Sequence, residues 1–285
     1  MQIGVVFPQT EIGGDVGAVR AYAEAAAGLG YGHLLAYDHV LGADPAVHTG
    51  WAGPYDIATT FHEPMVLFGY LAACTDLELV SGIVIGPQRQ TALLAKQAAQ
   101  VDLFCQGRLR LGLGLGWNSV EYQALGKDFA TRGRRLEEQV TLLRKLWTEE
   151  SVTFSTSEED VVGAVLCPMP VQRPIPIWLG ANAAPALRRA GRIADGWFPA
   201  VAPGQGFAEA KELVDEGARA AGRDPGSVAF EGRVNWGGVE QMARHLEKWR
   251  GVEAPYLSIN TMGSGLQGPD AHIAAIAQAA EVWRS

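Results

Sequence analysis

The feature that most constrains this chain is a rhythm. A short apolar run is followed by a longer stretch with helical apolar spacing, and the pair recurs eight times with no interior linker. Ile3 to Phe7, closed by Pro8, reads as a buried first strand. Asp15 is placed to cap the next helix, whose inner stripe is Val16, Val19, Ala23 and Ala26 and whose stop is Gly30. The spacing predicts further strands over His33–Tyr37, Leu77–Ile85, Arg108–Leu115, Ile175–Leu179, Ala194–Phe198, Val228–Val234 and Tyr256–Ile259. Helices are predicted over Glu63–Cys74, from Thr91 through Cys105, around Leu136 to Trp147, over Pro185–Arg192 and Phe207–Ala221, from Val239 to a stop at Gly251, and over Pro269–Trp283.

Parallel strands joined by helices either close into a barrel or form an open doubly wound sheet. The open sheet would carry its glycine fingerprint after strand one. Pro8-Gln9-Thr10-Glu11-Ile12-Gly13-Gly14 has no GxGxxG, and Gly112-Leu113-Gly114-Leu115-Gly116 falls in the fourth unit with the wrong spacing. The expectation is an α/β fold, a single (β/α)8 TIM-barrel domain over residues 1–285, a length that suits it. Two segments break the rhythm. One is a long loop, Val40 to Phe61, which at that length is expected to be functional. The other, Thr148 to Pro174, reads as a short hairpin (Val152–Phe154 with Val161–Leu166) inserted before strand five and stiffened by Pro168, Pro170, Pro174 and Pro176.

A net charge of −8 and a pI near 5.3 argue against a nucleic-acid partner. No apolar stretch approaches membrane-spanning length, and the N-terminus lacks a basic n-region, so no membrane partner and a cytoplasmic location are expected. Cys74, Cys105 and Cys167 make no CxxC pair and are expected in or near the core in a reducing compartment.

Barrels carry function on the loops that leave the strand tops. Those positions hold Gln9, Asp38, His39, Gly82, Ile83, Gly116, Trp117, Asn118, Gly180, Ala181, Asn182, Trp197 and Phe198. Gly180-Ala181-Asn182 precedes a helix, where small residues let a phosphate reach backbone N–H groups; the same residues equally suit a tight turn capped by Asn182. Gly112, Gly114 and Gly116 either bend the strand or let a flat ligand lie on the backbone. His39 at a strand mouth is suited to bonding a cofactor nitrogen or moving a proton, or is an ordinary loop histidine. No metal site is expected, since the six histidines (His33, His39, His48, His62, His245, His272) show no HxH or HxxEH spacing, and no GxSxG elbow signals a hydrolase.

Five ordered stretches resemble the luciferase-like monooxygenase and deazaflavin-dependent reductase superfamily. They are Tyr37-Asp38-His39-Val40, Gly86-Pro87-Gln88-Arg89-Gln90 with Leu94 to Ala99, Gly107 through Asn118 with Glu121, Pro174 through Gly180, and Ala190 through Trp197. The resemblance implies a ring cofactor, coenzyme F420 with FMN as the alternative, held in the barrel mouth. It implies a strand-three bulge with a cis non-proline peptide, by position Gly82-Ile83, and a phosphate on Gly180, Ala181 and Asn182. Cofactor contacts would come from Asp38, His39, Gly82, Ile83, Gly114, Gly116 and Asn118, with His39 near the reactive ring edge as catalytic candidate. Trp51, Tyr55, Trp197 and Phe198 are candidates to line an apolar pocket for a small-molecule substrate. Homodimers are common in the family.

The activity implied is F420-dependent hydride transfer to or from a small organic substrate. The alternatives are an FMN-dependent monooxygenase and a non-catalytic flavin-binding protein. The chain lacks a nicotinamide unit, so a separate flavin or F420 reductase would supply electrons. Two departures stand out. Trp117 occupies the place where the sugar-phosphate dehydrogenases of the family carry an acid, and the hairpin is short.

Overall fold

In the computed structural model, which describes residues 1–284, the rhythm closes on itself. The strands are β1 Gln2–Val6, β2 His33–Ala36, β3 Glu78–Ser81, β4 Val84–Ile85, β5 Leu109–Gly114, β6 Val152–Ser155, β7 Asp160–Ala164, β8 Ile177–Ala181, β9 Gly196–Pro199, β10 Ala229–Asn235 and β11 Tyr256–Asn260. The helices are α1 Gln9–Ile12, α2 Val16–Gly28, α3 Pro64–Leu71, α4 Thr91–Phe104, α5 Ser119–Ala124, α6 Arg132–Thr148, α7 Ala184–Ile193, α8 Gln205–Ala220, α9 Val239–Arg250 and α10 Gly268–Arg284. All barrel pairings are parallel and run from β3 through β2, β1, β11, β10, β9 and β8 to β5, with β5 returning to β3 and β4. β3 and β4 are two pieces of one stave, so the result is a closed eight-stave parallel barrel wrapped in helices. β6 and β7 form the antiparallel hairpin outside it.

Local chemistry sets these limits. The Asp15 carboxylate accepts the Gly17 N–H at 2.8 Å and the Ala18 N–H at 3.3 Å, which starts α2. Gly30 follows the helix with φ +74°, a conformation that favours glycine. The strand expected over Ile175–Leu179 begins only at Ile177, because Pro176 has no N–H for the ladder. The one expected from Ala194 begins at Gly196, because the Asp195 carboxylate turns back to accept the Ile177 N–H at 2.8 Å. The helix expected over Glu63–Cys74 is shorter, with Glu63 capping it through the Val66 N–H at 2.7 Å. Cys105 is buried and Cys74 half-buried, but Cys167 is exposed beside the hairpin, against expectation, because the segment leaving β7 runs over the surface.

The apolar core lies between staves and helices, with Leu34, Leu79, Leu111, Ile177 and Ile259 facing Leu71, Leu94, Leu143 and Trp147. The barrel interior differs. Its lower half holds a buried polar network of His33, Arg110, Glu231 and Ser258, with Glu78 at its rim. Its middle holds Val6, Leu35 and Val80, with Tyr37, Phe198 and Met262 packed above. No helix among the described residues is long and apolar enough to cross a membrane.

Candidate active site

Stave three makes the floor of the mouth. Leu79 pairs with Leu109 and Val80 with Arg110, but beyond the break Val84 pairs with Leu113 and Ile85 with Gly114. Stave three therefore spends one more residue than its neighbour, which is a bulge. The Gly82–Ile83 peptide within it is cis. Ser81 secures the lower edge. Its hydroxyl donates to the Gly112 carbonyl and accepts the Gly112 N–H, both at 2.9 Å. Asp38, at the top of β2, secures the upper edge by accepting the Ile85 N–H at 3.0 Å and pairing with Arg89 at 2.9 Å, while Arg89 also holds Glu63 at 2.6 Å. Burial pushes the Asp38 carboxyl up, against the opposing pull of Arg89 and the Ile85 N–H.

The Ile83 side chain points into space that glycines leave open. A Cβ on Gly114 would come within 2.6 Å of Ile83 Cδ1, and one on Gly180 within 3.1 Å of Ile83 Cγ2. Gly116, at φ +65°, would meet Ile85 at 2.8 Å. The dense glycines of stave four therefore make room for the bulge, which is the bending alternative of the two their spacing left open. The tops of β2, β5 and β8 converge on this one segment.

His39 follows Asp38 and stands on the cavity wall. Its Nδ1 lies 3.2 Å and 3.3 Å from the two Glu121 carboxylate oxygens. Glu121 itself is buried. It also accepts the Val40 N–H at 2.7 Å, the Leu41 N–H at 3.1 Å and the Gln88 side-chain amide at 3.2 Å. Burial works to raise the Glu121 carboxyl, but His39, the Leu41 N–H and Gln88 together hold it below its ordinary range. With Nδ1 engaged by this carboxylate, Nε2 is the ring nitrogen with no protein hydrogen bond among the described residues. Around the ring stand Phe61, Tyr55 and Trp117, all edge-on, with centroids 4.7, 5.3 and 5.3 Å away.

These pieces border a cavity of about 650 Å³ at the barrel mouth, lined among others by Asp38, His39, Tyr55, Gly82, Ile83, Gly116, Trp117 and Arg233. Its size lies within the range of about 300–1,000 Å³ of small-molecule sites. Several expected site residues lie elsewhere. Trp197 is buried against Phe207, stacked at 6.0 Å, because it points outward from β9 under α8; it does not line the mouth. Phe198, its neighbour of opposite parity, points inward to a smaller cavity of about 40 Å³ shared with Tyr37, Gly82 and Arg233.

Trp51 packs on Trp117 at 5.5 Å and donates to the Tyr55 carbonyl at 3.0 Å, so it braces the wall from behind. Asn118 is engaged on both sides of its amide. Its oxygen caps α5 through the Val120 and Glu121 N–H groups, and its nitrogen donates to the Leu41 carbonyl at 3.1 Å. Asn182 does not cap α7; Ala183 holds that place, and no side chain caps the helix. Gly180, Ala181 and Asn182 lie outside the mouth cavity, at the foot of that uncapped helix start.

Glu121, Arg233, Asn235 and Asn260 were not singled out from the sequence as site residues. Only Glu121 left a signal, standing three residues after Asn118 in the manner of a capping box. Its carboxylate reaches the 39–41 loop instead of the cap.

The family model described as luciferase-like monooxygenase matches residues 1–249. An F420-dependent glucose-6-phosphate dehydrogenase of Segniliparus rotundus is 31% identical over 215 residues, 73% of this chain and 60% of that protein. An FMNH(2)-dependent dimethylsulfone monooxygenase of Pseudomonas putida is 33% identical over 142 residues, 48% of this chain and 39% of that protein. The chain thus spans about half the length of the curated relatives it matches. Among solved structures, an F420-dependent secondary alcohol dehydrogenase in complex with an F420-acetone adduct superposes with a TM-score of 0.80 at 17% identity, covering 100% of this chain and 99% of that one. At that identity the likeness speaks to the fold.

Proposed function

This chain belongs to the luciferase-like monooxygenase family, and from that premise we propose that it is an oxidoreductase that uses coenzyme F420 to transfer a hydride to or from a small organic substrate. The observation that carries this reading is the His39–Glu121 pair on the wall of a mouth cavity whose floor is the Gly82–Ile83 bulge. The cavity suits a flat ring system. At Gly82 the bulge offers backbone with no side chain, where a Cβ would come within 2.5 Å of Leu35. The phosphate-bearing tail would run toward Gly180, Ala181 and Asn182, where the uncapped start of α7 favours negative charge. When bound, the deazaflavin ring supplies the two-electron hydride chemistry, and the protein supplies orientation and proton handling.

His39 handles the proton. Glu121 holds Nδ1, so Nε2 is the atom that accepts a proton from a substrate hydroxyl in one direction and returns it in the other. Buried Glu121 also ties down Val40 and Leu41, which keeps the imidazole in place. Tyr55 and Trp117 restrict water at the ring.

The second reading is an FMN-dependent monooxygenase fed by a separate reductase. It is favoured by the likeness to the sulfone monooxygenase, 33% identical over 142 residues against 31% over 215 for the F420 enzyme. Parallel fluorescence titrations with F420 and FMN decide between them. Tight binding of F420 supports the first reading, and tight binding of FMN alone overturns it. Turnover of any substrate by the loaded protein removes the non-catalytic alternative.

A further inference from the structure

The two long walls of the mouth differ in chemistry. On one side are Tyr55 and Trp117. On the other, the inward positions of the last two staves above Ala229 and Tyr256 are polar. Glu231, Arg233 and Asn235 alternate up β10, and Ser258 and Asn260 stand opposite on β11. Among these, Arg233 has no carboxylate within ion-pair distance among the described residues. Its one side-chain bond is a donation to the Tyr37 hydroxyl at 2.9 Å, which orients the guanidinium without neutralising it.

Two carboxylates of the barrel interior are committed elsewhere. Glu231, one inward step below, is held by Arg110 at 2.7 Å, His33 at 3.0 Å and Ser258 at 2.5 Å. Asp38 is held by Arg89. Glu11, on the same cavity, accepts the Gly263 N–H at 2.8 Å through one oxygen, while its other oxygen, 3.0 Å from His272, makes no hydrogen bond. The Arg233 guanidinium is exposed at the cavity and, with no carboxylate of the described residues on it, is free to take an acidic partner from outside.

Asn235 adds to this. The Asn260 side chain accepts the Met262 N–H through its oxygen at 3.1 Å and donates through its nitrogen to the Asn235 oxygen at 3.0 Å. That fixes both amides and leaves the Asn235 nitrogen as a donor with no protein acceptor among the described residues. Arg233 and Asn235 thus present donors from one strand face.

Resting on the reading that the mouth is the reaction site, we infer that Arg233, oriented by Tyr37 and aided by Asn235, is the carboxylate-binding subsite for the substrate, and that the substrate is a flat, apolar monocarboxylic acid whose body lies against Tyr55 and Trp117. The fork of a guanidinium matches a carboxylate bidentately. The aromatic wall rewards a planar apolar body.

The test is binding of cinnamate and cinnamamide, which share shape and differ in charge, measured calorimetrically on the full chain with and without F420. The expected result is that the acid binds about 30-fold tighter than the amide. Arg233→Met should bring the acid down to the level of the amide, leaving amide and F420 affinities within about twofold. Arg233→Lys should restore part of the difference, and Tyr37→Phe should lower acid affinity about threefold. Circular dichroism checks that each variant folds. Equal binding of acid and amide by the unaltered protein, or binding of neither, overturns the subsite. So does an Arg233→Met variant that loses F420 affinity about tenfold while keeping the acid–amide ratio, since the guanidinium then serves the cofactor. A protein that discriminates acid from amide but binds no F420 upholds the subsite and overturns only the cofactor reading.

Discussion

The barrel contains the same chemical pair twice, at the two ends of stave two. At the bottom, His33 meets Glu231 at 3.0 Å; at the top, His39 meets Glu121 at 3.2 Å. The lower pair is sealed. Both side chains are buried, Arg110 and Ser258 share the carboxylate, Arg110 lies between the Trp178 and Tyr256 rings at 4.5 and 4.3 Å, and Gly4 has no side chain because the His33 imidazole fills its place. The upper pair has the same hydrogen bond, but its histidine borders an open cavity. Residue type and distance do not separate a structural dyad from a chemical one. The surroundings of the second ring nitrogen do. His33 Nδ1 is buried and unpartnered, whereas His39 stands on the wall of the mouth.

The largest effect that could break this contrast belongs to the lower pair. Glu231→Ala leaves Arg110 with Glu78 alone as its carboxylate partner and takes the carboxylate from buried His33, and should cost about 3 kcal/mol in denaturant unfolding, with cofactor affinity of the folded protein nearly unchanged. Acid unfolding gives the same contrast a pH signature. Burial alone would raise the Glu231 carboxyl, but His33, Arg110 and Ser258 hold it at about 2, against 4.5 for the free group. A depressed carboxyl stabilises fully above its unfolded value and loses that contribution as pH falls through its folded one. Stability measured from pH 5 downward should therefore drop between pH 4.5 and about 2, and the drop should shrink in Glu231→Gln.

At the mouth, His39→Ala should leave the protein folded, with a lower melting temperature because buried Glu121 loses a partner, and slow turnover about 100-fold, as loss of a general acid–base does. Unchanged turnover would make both pairs structural. Glu121→Gln keeps shape but removes the charge at Nδ1, and about a tenfold fall in kcat with unaltered cofactor affinity is expected. A loss of cofactor binding instead would assign Glu121 to shaping the 39–41 loop alone. The smallest effect is Ser258→Ala, about 1–2 kcal/mol of stability and no change in turnover per folded molecule.

The fold was legible because each of the eight units carries its own apolar period between boundary signals, such as the start at Asp15 and the stop at Gly30. The bulge position was legible only through the family resemblance; nothing in Leu77 to Ile85 as an apolar run announces a break at Gly82. Wall residues were harder. Trp197 and Phe198 stand side by side, and in a stave buried on both faces apolar pattern does not say which of two neighbours turns inward. Asn118 was read for chemistry but spends its amide on Val120, Glu121 and Leu41, a choice made by the turn after β5. Arg233 was missed because a charged residue inside a strand looks like any other until the neighbours that would neutralise it are seen to be occupied.

The extra residue in stave three separates scaffold from site by a count of one. Below the bulge this stave and the next keep one alignment, and above it they keep another that differs by a single position. Removing one residue there would let Val84 and Ile85 keep their partners in an unbroken strand. The barrel could then remain closed while the ledge under the mouth disappeared. Such a protein would keep its container and lose its shelf, a one-residue irregularity that the pairing of the remaining staves does not require.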